Sequence, residues 1–208
     1  MQVENGTLAQ LHDGRVADFH PTQMTVGMIE VRDKQRHLAR LGHHERRQYL
    51  SDHPMPAVVG PEGVLYITDH HHLARALWEE RIESGFFLIE DRFTNLHPEA
   101  FWTEMHARQW VHPIDAQGRR HPVDALPRHV EQLVDDPYRS LARYVRDAGG
   151  YTKTDTAFAE FQWADFFRPR VKIGPGRDGF EAAVRAALQL AHTPPARGLP
   201  GFAPANGH

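Results

Sequence analysis

Three consecutive histidines follow an aspartate at the end of an apolar run, Leu65-Tyr-Ile-Thr-Asp69-His70-His71-His72-Leu-Ala-Arg-Ala-Leu77. The pattern reads as a strand that feeds a helix, with Asp69 at the N-cap and the histidines at the first three helical positions. The first N–H groups of a helix have no intrahelical partner, and the dipole is positive there. Such an end is an anion site, and imidazoles around it can donate hydrogen bonds or move protons. The combination suits a phosphate group. At about 100° per residue, His70 falls on the arc of Leu73, Ala74 and Leu77, facing the body of the protein. His71 lies at the edge of that arc, near Trp78. His72 shares the opposite side with Arg75 and Glu79, a solvent face. Asp69, His70 and His71 are therefore the catalytic candidates. The competing reading is that Asp69 only caps the helix and His70 is a hydrogen-bonded core histidine. The three histidines are not a metal site by themselves, because adjacent helical residues diverge too far to share an ion. His44-Glu45-Arg46-Arg47-Gln48 misses the His-Glu-x-x-His pattern at its last position.

The elements that must position these residues are legible around them. Arg15–Phe19 reads as a short strand stopped by His20-Pro21, and residues 24–41 as a helix stopped by Gly42. A second helix covers 44–51. Ala57-Val-Val59, the turn Gly60-Pro-Glu-Gly63 and Val64–Thr68 form a hairpin signal. The helix opened by Asp69 runs to about Ile82, Phe86–Ile89 is another strand, and 98–109 is helical. Residues 111–128 change direction at Pro113, Gly118, Pro122 and Pro127 and read as an irregular connection. Helices follow at about 136–147, 155–168 and 178–192, the last capped by Asp178. The fold class is α+β: a small mixed sheet with helices over 1–110, a helical extension packed on it over 111–193, and an irregular tail over 194–208.

Composition narrows the function classes. A chain of 208 residues with 40% hydrophobic residues is globular, one domain or one with a small annex. It has no cysteine, which excludes thiolate catalysis and Cys-ligated metals. No apolar run is long enough to span a membrane, and Met1-Gln-Val-Glu-Asn-Gly has no secretory pattern. The expectation is a soluble cytoplasmic protein. With 24 Lys+Arg against 27 Asp+Glu the chain is slightly acidic, unlike a generic DNA binder. Nucleic-acid affinity is therefore expected to be weak. Sixteen histidines is a high count, and most of them sit in loops or beside arginines.

Three segments together resemble the putative ParB-like nuclease family: His20-Pro-Thr-Gln-Met-Thr-Val-Gly27 with Val31-x-x-Lys34; the Pro56-to-Thr68 hairpin with Asp69–Leu77; and Tyr151-x-Lys153 with Phe158-Ala-Glu-Phe-Gln-Trp-Ala-Asp-Phe-Phe-Arg168. The resemblance covers most of residues 15–170. It implies a fold of the ParB/sulfiredoxin type, in which a strand followed by a special helix start binds nucleotide phosphates. Relatives of that superfamily bind CTP, use ATP, or carry an Asp-Gly-His-His-Arg box as free-serine kinases. This chain lacks the glycine of that box, places His72 or Leu73 at its arginine, and shows no helix-turn-helix reader. The resemblance implies His20, Gln23, Lys34, His72, Lys153 and Arg168 as phosphate or nucleotide ligands. Glu30 is a candidate base. Glu160 or Asp165 either holds a catalytic histidine by its second nitrogen or forms an ordinary ion pair. Phe158, Phe161 and Phe166 read as core.

The function expected is phosphate chemistry, either phosphodiester hydrolysis or nucleotide-dependent phosphotransfer to a small molecule. The alternatives are a non-catalytic nucleotide-binding switch and a DNA-binding partition-like protein. The partner expected is a nucleotide or small phosphorylated molecule, with ATP, ADP or CTP carrying Mg²⁺. Such a metal keeps its waters and needs few protein carboxylates.

Overall fold

The computed structural model describes residues 11–204. In chain order the elements are β1 (Leu11–Arg15), β2 (Phe19–Pro21), β3 (Thr25–Val26), α1 (Met28–Arg40), α2 (His43–Asp52), β4 (Met55–Val59), β5 (Leu65–Ile67), α3 (His71–Glu79), β6 (Ser84–Arg92), α4 (Pro98–Ala107), β7 (Val134–Asp135), α5 (Pro137–Asp147), α6 (Ala159–Phe167) and α7 (Gly176–Ala191). The class is α+β, with the helical part C-terminal. The chain divides into two compact units, and the division is not one cut in the sequence. Among the described residues, the first holds 11–24, Val31–Ile114 and Arg120–Leu133; the second holds Thr25–Glu30, Asp115–Arg119 and 134–204.

The first unit is built on a five-stranded mixed sheet of order β1-β6-β4-β5-β2. The hairpin signal around Gly60 is the antiparallel β4–β5 pair, joined by a 3-10 turn at Pro61–Gly63. β2 runs parallel to β5, with Phe19 opposite Leu65 and His20 opposite Tyr66. His20-Pro21 therefore continues a strand rather than stopping one. β2 is an edge strand, where proline is tolerated. Alternation then splits the sheet into two apolar faces. On one face, Phe19, Met55 and Leu77 of α3 close around Gly85, where a side chain would strike the Met55 methyl at 2.7 Å. On the other face, Tyr66 meets Phe101 and Trp102 of α4 at ring separations of 5.0 and 5.3 Å. Val58, Met105 and Val111 complete that second cluster.

The second unit is a helical core around Trp163, which is fully buried and stacks on Tyr151 at 4.2 Å. Its indole N–H donates to the Pro200 carbonyl, and the Tyr151 hydroxyl donates to that of Ala142. The tail is part of this core: Leu199 and Phe202 pack on it, and Thr152 N–H donates to the Gly201 carbonyl. Phe161 and Phe166 are buried here, and Phe158 is half-buried against Phe161. The short parallel pair β3–β7 precedes the starts of α1 and α5. A side chain at Gly27 would strike the Ser140 backbone at 2.6 Å, so glycine lets these two helix starts approach. α7 begins at Gly176 after Pro175, with Asp178 in its first turn rather than at the cap.

Candidate functional site

α3 starts later than its sequence implies. The N-cap is His70, not Asp69, and His70 is left-handed, with φ 59° and ψ 26°. That conformation costs a non-glycine residue roughly 1–2 kcal/mol. It reverses the chain direction between β5 and α3 within a single residue. A glycine at this position would carry no such penalty. Asp69 is exposed, and its Oδ1 accepts the His70 N–H at 2.7 Å. Phe158, the N-cap of α6, has the same left-handed backbone, with φ 56° and ψ 24°.

The three histidines have three environments. His71 is buried, and its Nε2 accepts the Thr22 N–H at 3.1 Å. That bond places the lone pair on Nε2. His71 thereby ties the end of β2 to α3, and Thr22 Oγ1 continues the link by donating to the Ile67 carbonyl at 2.9 Å. His72 is buried as well, contrary to the solvent face expected for it. The reason is Arg75 on the same side. Its guanidinium donates to the carbonyls of Glu131 and Leu133, both at 2.7 Å, and pairs with Glu79. A distant turn therefore covers this face of α3. His70 is only half-buried, yet its Nδ1 is shut off from solvent with no hydrogen-bond partner. Burial lowers the His70 pKa first. Asp69 opposes this, Lys34 adds to the lowering through its charge, and a hydrogen bond with the His53 backbone opposes it. Lys34 of α1 is thus an electrostatic neighbour of His70.

His20 and Gln23 lie on and just after β2. His20 is half-buried, and its pKa is lowered by burial and then by His129 and Arg128, with Asp18 opposing. Gln23 is buried in a backbone bridge with His112. Sequence reasoning missed His129, which lies 5.8 Å from His20 ring to ring. Nothing local marks it, since 109 residues separate the two. It also missed the role of Arg75.

The remaining candidates belong to the second unit. Lys153 is exposed in the loop after Gly149-Gly150. Glu160 pairs with Arg146, so the ion-pair reading describes its geometry. Asp165 takes Arg168 at 3.3 Å, and Asp136 takes it with both oxygens, at 3.1 and 2.8 Å. Arg168 also donates to the Ala116 carbonyl at 2.6 Å and stacks over Tyr138. Its guanidinium is engaged by the fold. Asp136 is the residue missed here: it is buried, and it caps α5 by accepting the Tyr138 N–H at 3.0 Å. Glu30 is buried and paired with Arg143 at 2.9 Å.

Among the described residues, no group of three His, Asp or Glu side chains is placed to hold a metal ion, and no helix is long and apolar enough to cross a membrane.

One consequence concerns pH. His20 and His70 both have folded pKa values below the ordinary 6.5. The unfolded chain then takes up their protons first on acidification, so their contribution is present above about 6.5 and is lost as the pH falls toward the folded values. Denaturant melts between about pH 7 and pH 5 should show falling stability. His70→Asn should flatten part of that slope; an unchanged slope in the variant would remove His70 from the explanation.

Comparison with known proteins places this geometry in a wider context. The family model described as putative ParB-like nuclease matches residues 12–169. Among solved structures, the crystal structure of protein Atu1540 from Agrobacterium tumefaciens is similar at 37% identity and a TM-score of 0.87. The match covers 95% of this chain and 98% of that one. The comparison with curated proteins gives no match.

Proposed function

We propose that this chain, which belongs to the putative ParB-like nuclease family, binds a phosphate group at the start of α3 and hydrolyses a phosphodiester there. The observation that carries this reading is His70: a strained, left-handed N-cap whose buried Nδ1 has no partner in the fold. An unsatisfied buried acceptor costs about 1–3 kcal/mol, and a turn of the His70 ring toward the start of α3 would let a ligand hydroxyl or an attacking water supply the missing donor. Burial keeps the His70 imidazole neutral near pH 7, which is the form that accepts a proton. The first turn of α3 directs its N–H groups and positive dipole end toward the anion.

Lys34 supplies a point charge for the negative charge that develops on the phosphate oxygens. His71 acts as a positioning residue, because its Nε2 is spent on the Thr22 N–H. Gln23 and His20 lie on the segment that His71 anchors. A nucleotide ligand would carry Mg²⁺ with most of its water shell.

The reading is tested by a thermal-shift panel of ATP, ADP, CTP and GTP with and without Mg²⁺, together with a short single-stranded oligonucleotide, followed by product analysis. At least one phosphate ligand should raise the melting temperature by mass action, and the oligonucleotide should be cut at its phosphodiester bonds. If none shifts the melt and none is cleaved, the proposed activity is wrong.

A further inference from the structure

Apart from the start of α3, the geometry points to a second phosphate subsite in the first unit, formed by His20, Arg128 and His129. Its occupant, a phosphate group, rests on the proposed function; the cationic cluster itself does not. The rings of His20 and His129 are 5.8 Å apart and tilted by 49°. His129 Nδ1 lies 3.3 Å from the Ala17 carbonyl. A carbonyl only accepts, so Nδ1 carries the hydrogen, and Nε2 is left to donate to an anion when the ring takes a second proton.

The cluster is built into the fold rather than left on a loose loop. The side-chain carbonyl of Gln132 accepts the N–H groups of both Arg128 and His129, at 2.9 and 3.2 Å. Arg75 holds the carbonyls on the far side of the same turn. β2 fixes His20 in register with Tyr66, whose ring meets it edge-on at 5.5 Å.

The charges favour an anion. Burial lowers the His20 pKa first; His129 and Arg128 lower it further, and one carboxylate, Asp18, opposes them. Asp18 is shared with Arg15 at 3.8 Å. A doubly charged phosphate between two imidazoles and a guanidinium turns their mutual repulsion into attraction. It also meets the forked donor geometry of arginine. Bound phosphate must therefore favour the protonated form of His20, by linkage.

The test follows the ring resonances of His20 by NMR in the full chain, titrated with pH in the presence of inorganic phosphate and, in parallel, of sodium chloride at the same ionic strength. Phosphate should move the His20 midpoint upward by more than chloride does. Arg128→Met and His129→Gln, both at exposed positions, should each reduce the difference, and the double variant should abolish it. His70→Asn should leave it in place, which separates this subsite from the one at α3. A short oligothymidylate in place of inorganic phosphate distinguishes a strand's diester from a terminal phosphate, according to which gives the larger rise. Equal midpoints in phosphate and chloride, or a difference that survives the double variant, would overturn the subsite.

Discussion

His70→Asn should lower turnover on the phosphate substrate by roughly 10²–10⁴ while leaving the fold intact. His70→Gly should do the same to turnover and hold or raise the melting temperature. The backbone explains the second half. His70 sits at φ 59°, a conformation that costs roughly 1–2 kcal/mol in any residue but glycine. Glycine removes that cost, offset by its larger entropy loss of about 0.5–1 kcal/mol on folding. A histidine kept for structure would behave in the opposite way, with activity per folded molecule preserved and stability reduced. His71→Gln gives the contrast. It disturbs a buried bond to the Thr22 N–H, so its main effect should be on the melt, with turnover falling only through displaced β2. Turnover and melting temperature measured on the same three variants separate the two roles. Full activity in His70→Gly would end the assignment of His70 as the base.

The largest stability effect is expected at Asp136 in the second unit. Its carboxylate is buried, takes Arg168 at 3.1 and 2.8 Å, and caps α5 through the Tyr138 N–H. Asp136→Ala leaves a partly buried guanidinium without its main partner, which costs about 3–5 kcal/mol where the charge cannot reach water. Losing the cap adds about 0.5–2 kcal/mol. Asp165 and some solvent access at Arg168 soften the first figure, because a charge 21% exposed is partly screened. Denaturant unfolding should show a fall of about 3 kcal/mol or more. Asp136→Asn, which keeps an acceptor for the cap, should fall by less. A loss under about 1 kcal/mol in Asp136→Ala would mean that Asp165 alone satisfies Arg168.

Much of this architecture was legible in the chain because it rests on local signals. The apolar runs at 57–59 and 64–68 around Pro61-Glu-Gly63 became β4, β5 and their turn. The apolar arc of Leu73, Ala74 and Leu77 became the buried side of α3. What failed did so for physical reasons. A proline after His20 reads as a strand breaker, yet Pro21 lies on the edge strand β2, where the missing donor is tolerated. Asp69 has the residue type of an N-cap, but the position that needs a left-handed residue comes one later, and histidine type carries no signal for it. His72 was set in solvent because helical phase alone cannot foresee that Arg75 gathers a turn 55 residues and more away. Arg168 is likewise held by Asp136, 32 residues before it. Long-range pairing of this kind leaves no periodicity to read.

The central claim is that the start of α3 is a phosphate site, and a crystal soaked with a nucleoside diphosphate and Mg²⁺ tests it most directly. The account predicts a phosphate within hydrogen-bonding reach of the backbone at 70–72, with His70 and Lys34 turned to its oxygens. A well-occupied nucleotide bound elsewhere, with the start of α3 closed to it, would contradict the account.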